Sequence, residues 1–137
     1  MDAVAGTTAA PPAKWMRWAG WGLTGVVALF LAMDGTMKFM DLPQVRDATA
    51  QLGWPTRLDL TIGVIEVACL VLYLVPRTAV LGAVLLTGLL GGAIATHVRV
   101  GDPLFSHVLF GVYVGLMAWG GLYLRDARLR TLIPVRR

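Results

Sequence analysis

TAVLGAVLLTGLLGGAIATHV at residues 78–98 and PLFSHVLFGVYVGLMAWGGLYL at residues 103–124 contain no Asp, Glu, Lys or Arg. At a helical rise of 1.5 Å, about 20 residues cross the roughly 30 Å hydrocarbon core of a bilayer, so each stretch is long enough for a span. Two further runs are nearly as apolar, but each carries an acid. Residues 18–40 hold Asp34 with Lys38 one helical turn on, and residues 58–75 hold Glu66. The runs are continuously apolar rather than alternating. They predict an all-α, four-transmembrane-helix bundle and not a β-barrel.

Of the 137 residues, 57% are hydrophobic and 15% charged, against about 25% charged in an ordinary soluble domain. Four spans leave room only for short loops. A single membrane domain is therefore expected over 15–137, behind a disordered tail at 1–14. The first run is too long, and too polar at its far end, for a signal-peptide core, and reads as a retained span. Cys69 is the only cysteine, which excludes an internal disulfide and a Cys-x-x-Cys relay.

The net charge of +4 does not point to nucleic acid, because of where the charges lie. Lys14, Arg17, Arg77, Arg125, Arg128, Arg130, Arg136 and Arg137 flank the N-terminus, the second loop and the C-terminus. Four spans put those segments on one side. The opposite loops hold Arg46, Arg57 and Arg99, offset by Asp41, Asp47, Asp59 and Asp102. The positive-inside rule then predicts a multi-pass protein of the plasma (inner) membrane with both termini cytoplasmic. The arginine-rich tail is expected to touch anionic lipid.

Trp15, Trp18 and Trp21 stand where an interfacial aromatic belt belongs. Residues 43–52 (PQVRDATAQL) begin with Pro and predict a short interfacial helix after the first span, stopped by Gly53-Trp54-Pro55. Gly88 and Gly92 in the third run, and Gly111 and Gly115 in the fourth, are spaced for close helix packing in lipid. Their other reading is room for a flat or elongated ligand.

The ionisable groups converge. By helical rise, Asp34 lies roughly 6–9 Å and Glu66 near 12 Å from the outer ends of their spans. His97 closes the third span on that side and His107 opens the fourth. Charge in hydrocarbon is costly, so such residues are functional candidates. Asp34 and Lys38 are spaced to pair. Glu66 has no basic residue within a turn on its own helix, so its partner must come from another helix, or its charge must be suppressed by its apolar surroundings. Asp59, Gly63, Glu66 and Tyr73 fall on one stripe that should face the bundle. Arg99 is placed to pair with Asp102 or to reach Asp34 or Glu66, and Asp102 to cap the fourth helix.

Glu66, Asp34 and His97 are thus the candidate catalytic residues, with Lys38, Arg99, His107 and Tyr73 as ligand-binding candidates, expected as one connected cluster. The competing reading is a polar network that only holds four helices in register. Metal binding by His97, His107 and Glu66 lacks a tight ligand spacing, and haem between the two histidines has no further support.

Five stretches carry a family resemblance: Asp34-Gly-Thr-Met-Lys38, Ala48-Thr-Ala-Gln-Leu-Gly-Trp-Pro55, Gly63-Val-Ile-Glu66, Tyr73-Leu-Val-Pro-Arg-Thr78 and Ala95-Thr-His-Val-Arg-Val-Gly-Asp-Pro103. The chain after residue 15 resembles the DoxX-like family of small four-helix membrane proteins. That family takes its name from a subunit of an archaeal terminal quinol oxidase and thiosulfate:quinone oxidoreductase. The resemblance implies a membrane redox setting, quinone as the ligand, and redox-complex subunits as partners. The other reading is a self-contained enzyme doing acid–base chemistry, such as isomerisation or ring opening, on a lipophilic small molecule. There, Glu66 and Asp34 would trade protons while His97, Lys38 or Arg99 steadied an oxyanion. A complete transporter is disfavoured by the lack of an inverted repeat. A homo-oligomer stays open.

Overall fold

A computed structural model of the protein describes residues 13–55 and 57–132. The chain order is α1 (Lys14–Phe39), α2 (Pro43–Gln51), α3 (Leu58–Leu74), α4 (Ala79–Val100), a single π-type turn (Leu104–Val108), α5 (Phe110–Arg125) and α6 (Ala127–Leu132). No strand occurs among the described residues. The expected disordered tail lies outside them except for Ala13 and Lys14, and Lys14 already begins α1. The basic end at Arg136 and Arg137 also lies outside the described residues.

Local chemistry sets the breaks. α1 ends where Asp41 takes a left-handed φ of 54° and Leu42 turns extended ahead of Pro43. Pro43 is preset for the first turn of α2, where its missing N–H costs nothing. α4 ends on Gly101 at φ 75°, which no side chain hinders. There the Gly101 N–H reaches Val98 O at 3.1 Å and the Asp102 N–H reaches His97 O at 3.1 Å, closing the helix with paired backbone bonds. The expected capping role of Asp102 is not found, because its carboxylate turns back to His97 instead. The π-type turn follows Pro103, whose carbonyl accepts from both His107 and Val108.

α1, α3, α4 and α5 form a four-helix bundle in which α1 and α4 each pack against both α3 and α5. The α1–α3 seam and the α4–α5 seam therefore lie on opposite sides. Among the described residues three segments are long and apolar enough to cross a membrane: Lys14–Phe39, Ala79–Val100 and Leu104–Arg125. α3 has 17 residues, about 25 Å, at the short end of what a bilayer needs. Its outward residues Leu60, Val64, Ile65 and Val71 are as apolar as those of its neighbours. A bundle that exposes such faces is solvated by lipid, and the protein is membrane-embedded.

Val27, Leu31, Leu70, Tyr73, Leu86, Val114 and Leu122 fill the centre. Glycine sets the closest helix approaches, but not always where the spacing predicted. Gly111 and Gly115 do face α4: a Cβ on Gly111 would come within 2.9 Å of Ile94 Cγ1. Gly88 and Gly92 face open space, which corrects their expected place at helix contacts. Gly82 does that work on α4, packed directly on the Tyr73 backbone of α3.

Candidate functional site

The α3 stripe is buried as its spacing requires: Asp59, Gly63, Glu66 and Tyr73 all turn inward. Gly35 of α1 and Gly63 of α3 let the two helices meet without intervening side chains; a Cβ on Gly35 would be 2.9 Å from Val67 Cγ2. Lys38 then lies across α3. Its ammonium donates to Glu66 Oε2 at 2.7 Å and also to Asp34 Oδ2 one turn back on α1. Glu66 is 3% exposed, whereas the Asp34 side chain is 41% exposed. Two carboxylates thus share one cation, one of them buried and the other half-exposed. Among the described residues no buried side-chain nitrogen or oxygen lacks a partner. Removing the shared cation would leave both carboxylates uncompensated, at about 3–5 kcal/mol.

Beside the triad opens a polar vestibule of about 550 Å³, lined by Lys38, Asp41, Arg46, Arg57, Asp59 and Leu60. Arg46 and Asp41 pair at 3.2 Å on its rim. Asp59 is 4% exposed and accepts the Leu60 N–H at 2.8 Å. The sequence reading put Asp59 on the buried stripe but missed it as a site residue. Its spacing of seven from Glu66 was the available signal.

The expected single cluster separates into parts. His97 Nδ1 pairs with Asp102 Oδ2 at 2.5 Å, and its ring stands 5.8 Å from that of His107, edge-on. Arg99 reaches neither acid nor Asp102. It donates to Leu52 O and lies 5.8 Å over the Trp54 ring, pinning the end of α2. No hydrogen bond or ion pair joins His97, His107 or Arg99 to the triad among the described residues.

Tyr73 belongs to the far end of the bundle. Its hydroxyl donates to Ala118 O at 2.6 Å and lies 3.3 Å from Thr24 Oγ1. Arg125 completes this lock, donating to Thr24 Oγ1 at 3.1 Å and to Tyr73 O at 3.3 Å, with its guanidinium 4.5 Å from the Trp21 ring centre. Read as a topology anchor in the sequence, Arg125 ties α1, α3 and α5 together. Thr24 and Arg125 are 101 positions apart, and no local pattern links them.

On the opposite side from the triad, α4 and α5 enclose an apolar groove of about 880 Å³. Leu90, Gly91, Ile94, Gly111, Gly115 and Trp119 are among its walls. Trp119 Nε1 donates to Thr87 Oγ1 at 2.7 Å and holds the indole along it. The groove begins one turn from His97 and His107, at Ile94 and Gly111. Its size is that of a small-molecule site, and its opening faces lipid. Among the described residues no group of three or more His, Cys, Asp or Glu side chains is arranged to hold a metal.

No curated protein and no solved structure matches the chain. A family-wide match does cover the bundle: the model of the DoxX-like family fits residues 22–121, from within α1 to within α5. It takes in the triad, the vestibule and both histidines, and the chain belongs to the DoxX-like family.

Proposed function

We propose that this protein binds a lipophilic ligand of the quinone class and handles protons for it, as a component of a membrane oxidoreductase system. The observation that carries this reading is Glu66, a buried carboxyl whose side-chain partner is an ammonium shared with the more exposed Asp34. Quinone and quinol interconvert with protons as well as electrons, so a protein serving them inside a bilayer needs acid–base groups at depth. The apolar groove supports the ligand class: a molecule dissolved in lipid enters from the side, lays its tail along the glycines and brings its ring toward His97 and His107, while the triad on the opposite side exchanges protons without touching it. Asp102 orients the His97 ring for such a contact.

The test is purification in mild detergent, extraction and mass spectrometry for a bound isoprenoid quinone. Titration of the stripped protein with a short-tailed quinone follows. Quenching of indole fluorescence is expected, and Trp119→Phe should remove most of it. An empty extract together with no quenching defeats the reading.

One observation favours a second reading, a self-contained acid–base enzyme acting on a lipophilic molecule. Glu66 and Asp34 supply both an acid and a base, and Lys38 between them supplies an oxyanion donor. Turnover of such a substrate by the purified protein alone, with no redox partner, separates it from the first.

A further inference from the structure

Among the described residues Asp59 is the buried carboxylate outside the triad. It stands two turns from Glu66 on the same face of α3, about 10 Å away by helical rise, with Gly63 between them. No basic side chain pairs with it among the described residues. It opens on the vestibule of about 550 Å³, whose rim carries Arg46, Arg57 and Asp41.

Lys38 belongs to both places. It lines the same vestibule, and its ammonium donates to Glu66. Its stem crosses α3 at Gly63, where a Cβ would come within 3.1 Å of Lys38 Cβ and 3.5 Å of Lys38 Cδ. Any larger residue at 63 would press on that stem. The groups facing Glu66 are Lys38 and Asp34 from α1, with Asp59 and Cys69 on its own helix. The ionisable groups of α4, His97 and Arg99, are held by Asp102 and Leu52.

We propose that the vestibule is a proton port, in which Asp59 takes protons from water and Lys38 carries them across Gly63 to Glu66. The proposal rests on the reading that the triad exchanges protons. The steps balance with one proton and no electrons. The Lys38 ammonium gives a proton to the Glu66 carboxylate, breaking N–H and forming O–H, and becomes a neutral amine. The amine turns over Gly63 and takes a proton from the Asp59 carboxylic acid. The Asp59 carboxylate regains one from vestibule water. Discharge of Glu66 runs the same steps backwards.

Glu66 is the only glutamate in the chain, so a carboxyl-labelled glutamate reports on one site. In full-length protein in lipid nanodiscs, infrared stopped-flow after a pH jump reads how fast Glu66 changes protonation. Asp59→Asn is expected to slow that change roughly ten-fold or more, with azide, added as a small diffusible proton carrier, restoring it. Gly63→Ala should slow it too, by crowding the lysine stem, and it carries the test if Asp59→Asn does not fold. Wild-type rates in Asp59→Asn or, failing that variant, in Gly63→Ala overturn the port, and so does an Asp59→Asn variant that azide leaves as slow. A wild-type Glu66 that shows no change between about pH 4 and about pH 10 overturns the proton-handling reading itself, and the port with it.

Discussion

Gly63 of α3 lies directly beneath the side chain of Lys38 of α1, so close that a Cβ would sit 3.1 Å from Lys38 Cβ. This close approach lays Lys38 across α3, where its ammonium donates to the buried Glu66.

Gly63→Val should therefore uncouple geometry from charge. The α1–α3 seam is expected to open at a cost of roughly 1–3 kcal/mol, the usual penalty of overpacking. Thermal unfolding in detergent measures it, and an unchanged midpoint would show that Lys38 does not need the gap.

Glu66→Gln keeps the shape and the hydrogen-bonding capacity of the side chain but cannot exchange a proton. This variant is expected to fold, insert and retain its lipophilic ligand while losing function in any assay that detects the wild type. Lys38→Met should instead lose about 3–5 kcal/mol, because two carboxylates would be left without their shared cation. Full function in Glu66→Gln would reduce the triad to a structural brace.

Gly82 and Gly88 occupy the same helix with opposite surroundings. Gly82 packs on the Tyr73 backbone, whereas nothing lies within 4 Å of Gly88. Gly82→Leu should abolish a stable bundle, and Gly88→Leu should leave thermal stability within about 0.5 kcal/mol of wild type. Equal effects in a melting comparison would contradict the packing described.

Tyr73→Phe removes the bond to Ala118 O and the contact with Thr24. A loss of about 0.5–1.5 kcal/mol is expected, with proton exchange at Glu66 unaffected, since the Tyr73 hydroxyl bonds to Ala118 and Thr24 and to no member of the triad. Altered ligand binding in this variant would move Tyr73 from the lock to the site.

Both termini are expected in the cytoplasm, from the Lys and Arg asymmetry between the two sets of loops. Cysteine labelling at Gln51 in a Cys69→Ser background checks this. Modification of that position from the cytoplasmic side alone would reverse the orientation.

The sequence by itself determined the four helices, the short helix at Pro43–Gln51 and the inward stripe from Asp59 to Tyr73. Those features are written in local chemistry: apolar run length, Pro and Gly breaks, and a period near 3.6 residues. The i,i+4 pair of Asp34 and Lys38 was legible for the same reason. Only the tertiary structure decided that Lys38 also takes Glu66, that His97 spends itself on Asp102, and that Arg99 clamps Leu52 and Trp54. It likewise decided which glycines touch a neighbour, closing Gly82 on α3 and leaving Gly88 open. The reason is physical. Helical spacing tells which residues share a face, but the rotation and depth at which two helices meet come from side chains interlocking across the whole seam. A polar partner is chosen by that fit, among groups as far apart in the chain as Thr24 and Arg125.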